Sequence, residues 1–174
     1  MKTEKGNKIL VTGGAGFIGS CLVLKLLKEV DNKILNVDKL SYASDLTSIS
    51  KKIQFNKELA SRYEFIKLDL NNCQETFEAV KNFKPDIIFH LAAESHVDRS
   101  IDSPLEFLET NILGTFNILQ AALTYFQTLS TFKKNNFRFH HISTDEVFGS
   151  LDKEGEFDEK TKYDPRSPYS ASKA

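Results

Sequence analysis

Thr12-Gly13-Gly14-Ala15-Gly16-Phe17-Ile18-Gly19-Ser20 follows the apolar run Ile9-Leu10-Val11 and leads into a stretch with helical apolar spacing. A chain that swings from strand to helix within a few residues needs positive φ, which glycine adopts without a Cβ clash. Bare backbone at the start of that helix, with free N–H groups and the positive end of the dipole, cradles a pyrophosphate. Two spacings overlap: Gly14, Gly16 and Gly19 fit G-x-G-x-x-G, while Gly13, Gly16 and Gly19 fit the wider G-x-x-G-x-x-G. A tight turn without a ligand is the competing reading. The strand before, the helix after and Asp38, nineteen residues beyond Gly19, weigh against it.

Outward from this stretch, β-rich apolar runs predict strands at 8–12, 33–38, 63–69, 86–91 and 137–143, and helical patterns are clearest at 16–29, 73–83 and 104–127. Ile87-Ile88-Phe89 and Leu91, interrupted by His90 alone, read as a strand covered on both faces. Ser103-Pro104-Leu105-Glu106 predicts an N-cap serine, a first-turn proline and a capping-box glutamate, and Asn72 with Glu75 reads the same way. Strands alternating with such helices imply an α/β fold, a doubly wound parallel sheet of Rossmann type, with ligands at the carboxyl ends of the strands. The polar, acidic segment 151–166 reads as a surface loop. Ser167-Pro168 opens a last helix that reaches Ala174 after about two turns. A helix so short is marginal without packing. Residues 1–174 are therefore expected to be one incomplete nucleotide-binding domain, stopping before the last strand and a substrate domain.

At 174 residues the chain suits one domain and is short for two. Hydrophobic residues at 40% and charged ones at 27% place it among ordinary globular proteins. A net charge of −1 gives no electrostatic case for nucleic acid or an anionic membrane. No apolar run approaches the roughly 20 residues of a membrane span, and Met1–Lys8 contains no apolar signal core. Cys21 and Cys73 form neither C-x-x-C nor a metal pattern. They are expected to be small packing residues in a reducing cytoplasm.

Asp38 ends the second strand, where a carboxylate accepts hydrogen bonds from adenosine ribose hydroxyls and repels a ribose phosphate, so NAD is favoured over NADP. Lys39 tempers that preference. Asp69, at the end of the third strand, is either an adenine-side contact or a loop cap. Leu91-Ala92-Ala93-Glu94-Ser95 supplies small residues that let a cofactor approach the backbone. Glu94, His96, Asp98 and Arg99 either bind ligand or pair with one another. His140 and His141 face opposite ways along a strand, so they form no joint metal site, and with His90 they are expected to be core or hydrogen-bonded residues.

Tyr169 and Lys173 are spaced i, i+4 and share one helix face. A phenol near pKa 10 is a poor base at neutral pH, but a neighbouring ammonium and a positive nicotinamide ring lower that value. The pair then suits removal of a proton from a hydroxyl as hydride leaves for NAD. Ser143-Thr144-Asp145-Glu146 closes the fifth strand. Thr144 is placed to hydrogen-bond the reacting oxygen. Asp145 and Glu146 reach one pocket only if the strand has ended by Thr144; otherwise they are a solvated acidic pair. In one pocket, unlike environments make one an acid and the other a base.

Val11–Ser20, Asn36–Ala43, Leu91–Ser100, Asn111–Thr115, His140–Gly149 and Ser167–Ala174 together resemble the extended short-chain dehydrogenase/reductase superfamily, and within it the dTDP-glucose 4,6-dehydratase family. Sugar epimerases of that superfamily share the glycines and the Tyr-Lys pair but generally lack Asp-Glu. The resemblance implies bound NAD, contacted by Gly13, Gly16, Phe17, Ile18 and Gly19, by Asp38, Lys39, Leu40 and Ser41, by Asp69 and Leu70, by Leu91, Ala92, Ala93 and Glu94, and by Thr110, Tyr169 and Lys173. Ser95 and Thr144 would meet the substrate.

The implied reaction converts dTDP-glucose to its 4-keto-6-deoxy derivative. Tyr169 would deprotonate the 4-hydroxyl as hydride passes to NAD, Glu146 would take the carbon 5 proton, Asp145 would protonate the departing 6-hydroxyl, and hydride would return to carbon 6. Lys173 would tune Tyr169. The alternatives are a UDP-sugar epimerase or decarboxylase, and a non-catalytic NAD-binding piece. Phe148 stands where the family commonly has tyrosine. Family members continue for roughly as many residues again and form homodimers through two helices, here 104–127 and the one opened by Ser167. These 174 residues alone are therefore expected to be inactive and poorly stable, the Tyr-Lys helix having nothing to pack on.

Overall fold

The computed structural model describes residues 6–29, 31–151 and 155–174. Alternate side chains of an apolar strand go to opposite faces, and strand β1 (Lys8–Thr12) sorts its residues in that way. Ile9 and Val11 join Ile34, Ile49, Val23 and Leu27 in one core cluster, the last two from helix α1 (Phe17–Lys28). Leu10 joins Leu35, Val37, Val80, Ile88 and Ile118 in another. Each such side chain contributes about 1.5–3 kcal/mol on burial. The result is a sheet with a helical layer on each face.

Strands β1, β2 (Lys33–Asp38), β3 (Tyr63–Lys67), β4 (Ile87–His90) and β5 (Arg138–His141) run parallel in the order β3-β2-β1-β4-β5. The chain reverses direction across the sheet between β1 and β4. This is the switch point at which open α/β sheets bind ligands. α1 and α2 (Thr47–Ile53) cover one face; α4 (Cys73–Phe83) and α7 (Thr115–Gln127) pack together over the other. The short α3 (Lys57–Ser61), α5 (Val97–Asp102) and α8 (Thr131–Asn136) carry too few periodic residues for their sequence to announce them.

Helix 104–127 has three pieces: α6 (Pro104–Phe107), a π-helical stretch Leu108–Gly114, and α7. The expected capping box at its start does not form. The Ser103 N–H already bonds Arg99 O at 2.8 Å, closing α5, so it has nothing to offer Glu106. Glu106 instead meets Arg99 at 3.4 Å. Asn72 caps α4 as expected, accepting from Glu75 N at 3.2 Å.

β3 and β5 each end two residues before their expected limits, because the chain leaves the sheet there to form cavity wall. His140 and His141 are exposed on β5, the last strand of the order, rather than buried; their rings lie against Phe89 and His90. His90 is the core histidine. Cys21 and Cys73 are also exposed, contrary to their expected packing role. Residues 151 and 155–166 carry no helix or strand, and Met1–Lys5 and 152–154 lie outside the described residues.

The last helix, α9 (Pro168–Lys173), is the clearest correction. It does have something to pack on. Ser167 caps it in a reciprocal box with Ser170, and Tyr169, Ser170, Ser172 and Lys173 are buried against α5, α6, the π stretch and the 3-10 turn Asp145–Phe148. Phe107 meets the Tyr169 ring edge-on, with 6.4 Å between centroids.

Candidate functional site

A cavity of about 410 Å³ opens at the carboxyl ends of the strands. Its floor is the turn between β1 and α1. Gly13 has φ +71°, and a Cβ there would lie 2.6 Å from Ala92 N, so only glycine lets the two strand ends approach. A Cβ on Gly19 would stand 2.1 Å from Gly13 O, fixing the turn of α1 against the loop. Gly14 lies outside the cavity wall, against Asn36, so the wider spacing through Gly13, Gly16 and Gly19 describes the wall. Phe17 and Ile18, at the N-terminus of α1, are solvent-exposed and line the opening. Backbone bared by glycine at a helix N-terminus fits a pyrophosphate.

Asp38 is buried and thoroughly engaged. One carboxylate oxygen accepts from Ala15 N at 3.0 Å, and the other accepts from Leu40 N and Ser44 Oγ, both at 2.8 Å. A carboxylate offers about four acceptor positions, so capacity for a ribose hydroxyl is left. Leu40 does not reach the wall; with φ +57° it sits in the left-handed region, and its N–H is spent on Asp38. Ser41 and Leu70 line the cavity, as does Asp69, which also caps its own loop through Asn71 N at 2.9 Å.

Leu91, Ala92, Ala93, Ser95 and Thr110 form part of the opposite wall. Glu94 lies behind it, paired at 2.8 Å with Lys39. Lys39 Nζ also donates to Thr110 Oγ1 at 3.0 Å. Of the polar run 94–99, Glu94 and Arg99 pair with protein groups: Arg99 takes Glu106 and lies 3.9 Å above the Tyr42 ring. His96 occupies the N-cap position of α5 without a side-chain cap bond.

Tyr169 and Lys173 share the α9 face that lines the cavity. The Tyr169 phenol is raised above its ordinary value, chiefly by burial. The Thr144 hydroxyl works against that, while the charges of Glu146 and then Asp145 add to it. The expected lowering by the neighbouring ammonium is therefore not what the chain shows. Burial pulls Lys173 down to about 8, weakening it as a cation near neutral pH.

β5 has ended by His141, and Asp145–Phe148 is a 3-10 turn, so the strand alternation that would part the two acids does not apply. Thr144 caps the turn, accepting from Glu146 N at 3.2 Å. Both carboxylates are exposed, yet close enough for their charges to act on the tyrosine. Thr144, Asp145 and Glu146 thus stand by the rim rather than on the wall.

Sequence reasoning assigned no role to Asn111, which is buried in the π stretch. Its side chain accepts from Glu94 N at 2.8 Å and donates to Glu94 O at 2.9 Å and to Ser172 Oγ at 2.8 Å. An asparagine within an apolar helical run was the available signal. Ser143, Ser44 and Ile142 also line the cavity unforeseen; Ser143 Oγ donates to Lys173 O at 3.2 Å.

The family model described as GDP-mannose 4,6 dehydratase matches residues 10–174. The dTDP-glucose 4,6-dehydratase of Salmonella typhimurium (strain LT2) is 49% identical over 96% of this chain and 47% of its own length. That of Neisseria gonorrhoeae is 49% identical over 100% of the chain and 49% of its length. The chain spans about half the length of the curated relatives it matches. Among solved structures, the Bacillus anthracis dTDP-glucose 4,6-dehydratase in complex with NAD superposes with TM-score 0.78 at 37% identity, covering 97% of this chain and 47% of that one. The UDP-Glc/GlcNAc 4-epimerase of Campylobacter jejuni superposes with TM-score 0.80 at 28% identity, covering 97% of this chain and 46% of that one.

Proposed function

Because the chain belongs to the GDP-mannose 4,6 dehydratase family, we propose that it is the nucleotide-binding part of an NAD-dependent sugar-nucleotide 4,6-dehydratase acting on dTDP-glucose. The observation that carries this is the placement of Thr144, Asp145 and Glu146 within reach of Tyr169, itself on the wall of a cavity floored by the glycine turn. Relatives at 49% identity named for dTDP-glucose support that sugar nucleotide.

Gly13, Gly16, Phe17, Ile18 and Gly19 would hold the pyrophosphate, Asp38 and Ser41 the adenosine ribose, Asp69 and Leu70 the adenine, and Leu91, Ala92 and Ala93 would let the cofactor lie close to the backbone. NAD, when bound, supplies a hydride acceptor and donor at the sugar. Tyr169 takes the proton of the 4-hydroxyl, with Lys173 holding the phenol in place. The ketone at carbon 4 acidifies carbon 5, whose proton Glu146 removes. Asp145 protonates the 6-hydroxyl, which leaves as water; as carbon 6 takes the hydride back, Glu146 returns a proton to carbon 5. Thr144 and Ser95 hold the sugar. Two carboxylates side by side perform opposite proton transfers when their surroundings differ, as general acid and general base chemistry requires.

The whole protein is a homodimer in this reading. Leu105, Leu108, Ile112, Phe116, Leu119 and Leu123 form an exposed apolar stripe along 104–127, each 45% exposed or more. A stripe of that length on a helix marks an interface.

The test is incubation of the whole protein with dTDP-glucose and NAD, with the product read by NMR. A 4-keto-6-deoxy sugar supports the proposal. A C4 epimer favours the epimerase reading to which the Campylobacter jejuni structure belongs, and NAD retention without turnover leaves a binding module.

A further inference from the structure

Lys39 and Lys173 are the cationic side chains on the cavity wall among the described residues. Lys173 sits on the helix of Tyr169, at the reactive end. Lys39 follows Asp38, at the ribose end, and is the one cation placed to meet a phosphate on that ribose. It is already committed: its Nζ lies 2.8 Å from Glu94 Oε1 and 3.0 Å from Thr110 Oγ1. The Glu94 side chain is 7% exposed, and its backbone N–H and C=O are both bound by Asn111. The carboxylate is thus fixed in place, and withdrawing Lys39 from it leaves a buried charge uncompensated, which is costly. Asp38 repels a ribose phosphate directly. Glu94 acts on the same choice from the other wall.

We propose that Glu94 is a specificity-determining residue, holding Lys39 away from the adenosine ribose so that the site takes a dinucleotide with free ribose hydroxyls and rejects one carrying a 2′-phosphate. This rests on reading the cavity as a dinucleotide site. In Glu94→Gln the shape is kept and the countercharge is lost, so Lys39 becomes available to the phosphate.

Calorimetric titration of the full chain with NAD+ and with NADP+ tests this through the ratio of the two Kd values. Glu94→Gln is expected to shift that ratio toward NADP+ by about tenfold, the scale of one charge-assisted hydrogen bond. Adding Lys39→Met to Glu94→Gln is expected to abolish the shift. Lys39→Met alone, which leaves Glu94 in place, is expected to leave NADP+ as poorly bound as before, and it serves equally if Glu94→Gln does not fold. An unmoved ratio in Glu94→Gln, a shift that survives in the double variant, or selective loss of NADP+ in Lys39→Met overturns the proposal while NAD+ binding stands. Failure of the unsubstituted chain to bind either dinucleotide overturns both the proposal and the site beneath it.

Discussion

Asn111 donates to Ser172 Oγ at 2.8 Å across 61 positions of sequence, and so ties the helix of Tyr169 and Lys173 to the π stretch of helix 104–127. The same side chain clamps Glu94 on both of its backbone groups. π turns recur at functional sites because they displace one helical residue from its regular position. Asn111→Ala orphans the Glu94 N–H and unlatches α9. The expected loss is about 2–3 kcal/mol, read by urea unfolding, with the added hydrogen exchange concentrated at Glu94 and in α9. Loss spread evenly over the sheet would contradict the clamp.

His90 bridges Thr12 Oγ1 at 2.7 Å and Thr115 Oγ1 at 2.9 Å. Burial, with the nearby His141 and Lys173, holds its pKa at about 3. Between pH 6.5 and 3 the unfolded chain binds a proton that the folded one refuses, so stability falls as pH falls through that window. The expected loss reaches on the order of 3 kcal/mol by pH 4. Urea midpoints from pH 7 to 4 measure it. His90→Gln should flatten the dependence, and an equally steep curve for that variant would contradict this assignment.

Lys173 follows the same sign in a higher pH window. Its folded value of about 8 lies below the ordinary 10.5, so burying the charge costs stability at neutral pH. Between pH 8 and 10.5 the unfolded chain carries the extra proton, and the penalty fades as pH rises. Lys173→Met is expected to be more stable than the parent by on the order of 2 kcal/mol at pH 7, the gap closing above pH 10. Thermal unfolding at pH 7, 9 and 10.5 checks this; a gap that does not narrow contradicts it.

The division between Asp145 and Glu146 is open to direct substitution. Asp145→Asn with Glu146→Gln removes the proposed acid and base while leaving Tyr169 and Lys173. In the whole protein, oxidation at carbon 4 is expected to persist as a rise in NADH absorbance with sugar bound, while water loss falls at least about a hundredfold, the range of one general acid or base. Equal loss of both steps would contradict separate roles.

Much of this was legible from local rules. The glycine turn, Asp38 and the strand–helix alternation depend on backbone conformation and periodicity, which a short window displays. The Tyr169–Lys173 spacing is helical geometry of the same kind. What escaped was set by distant partners. Lys39 pairs with Glu94, Asn111 bonds Ser172, and Ser103 spends its N–H on Arg99 rather than capping with Glu106. α9 looked too short to stand, and its stability comes from Phe107 and Asn111, far away in sequence. The direction of the Tyr169 shift was missed because burial and two carboxylates outweigh the Thr144 hydroxyl, the group that works the other way.

The most direct test of dehydration at this site follows one isotope. The whole protein, incubated with dTDP-glucose deuterated at carbon 4, is expected to give a 4-keto-6-deoxy product whose methyl group carries the deuterium. Deuterium kept at carbon 4 in a sugar that has lost no water, or in its C4 epimer, would contradict the account.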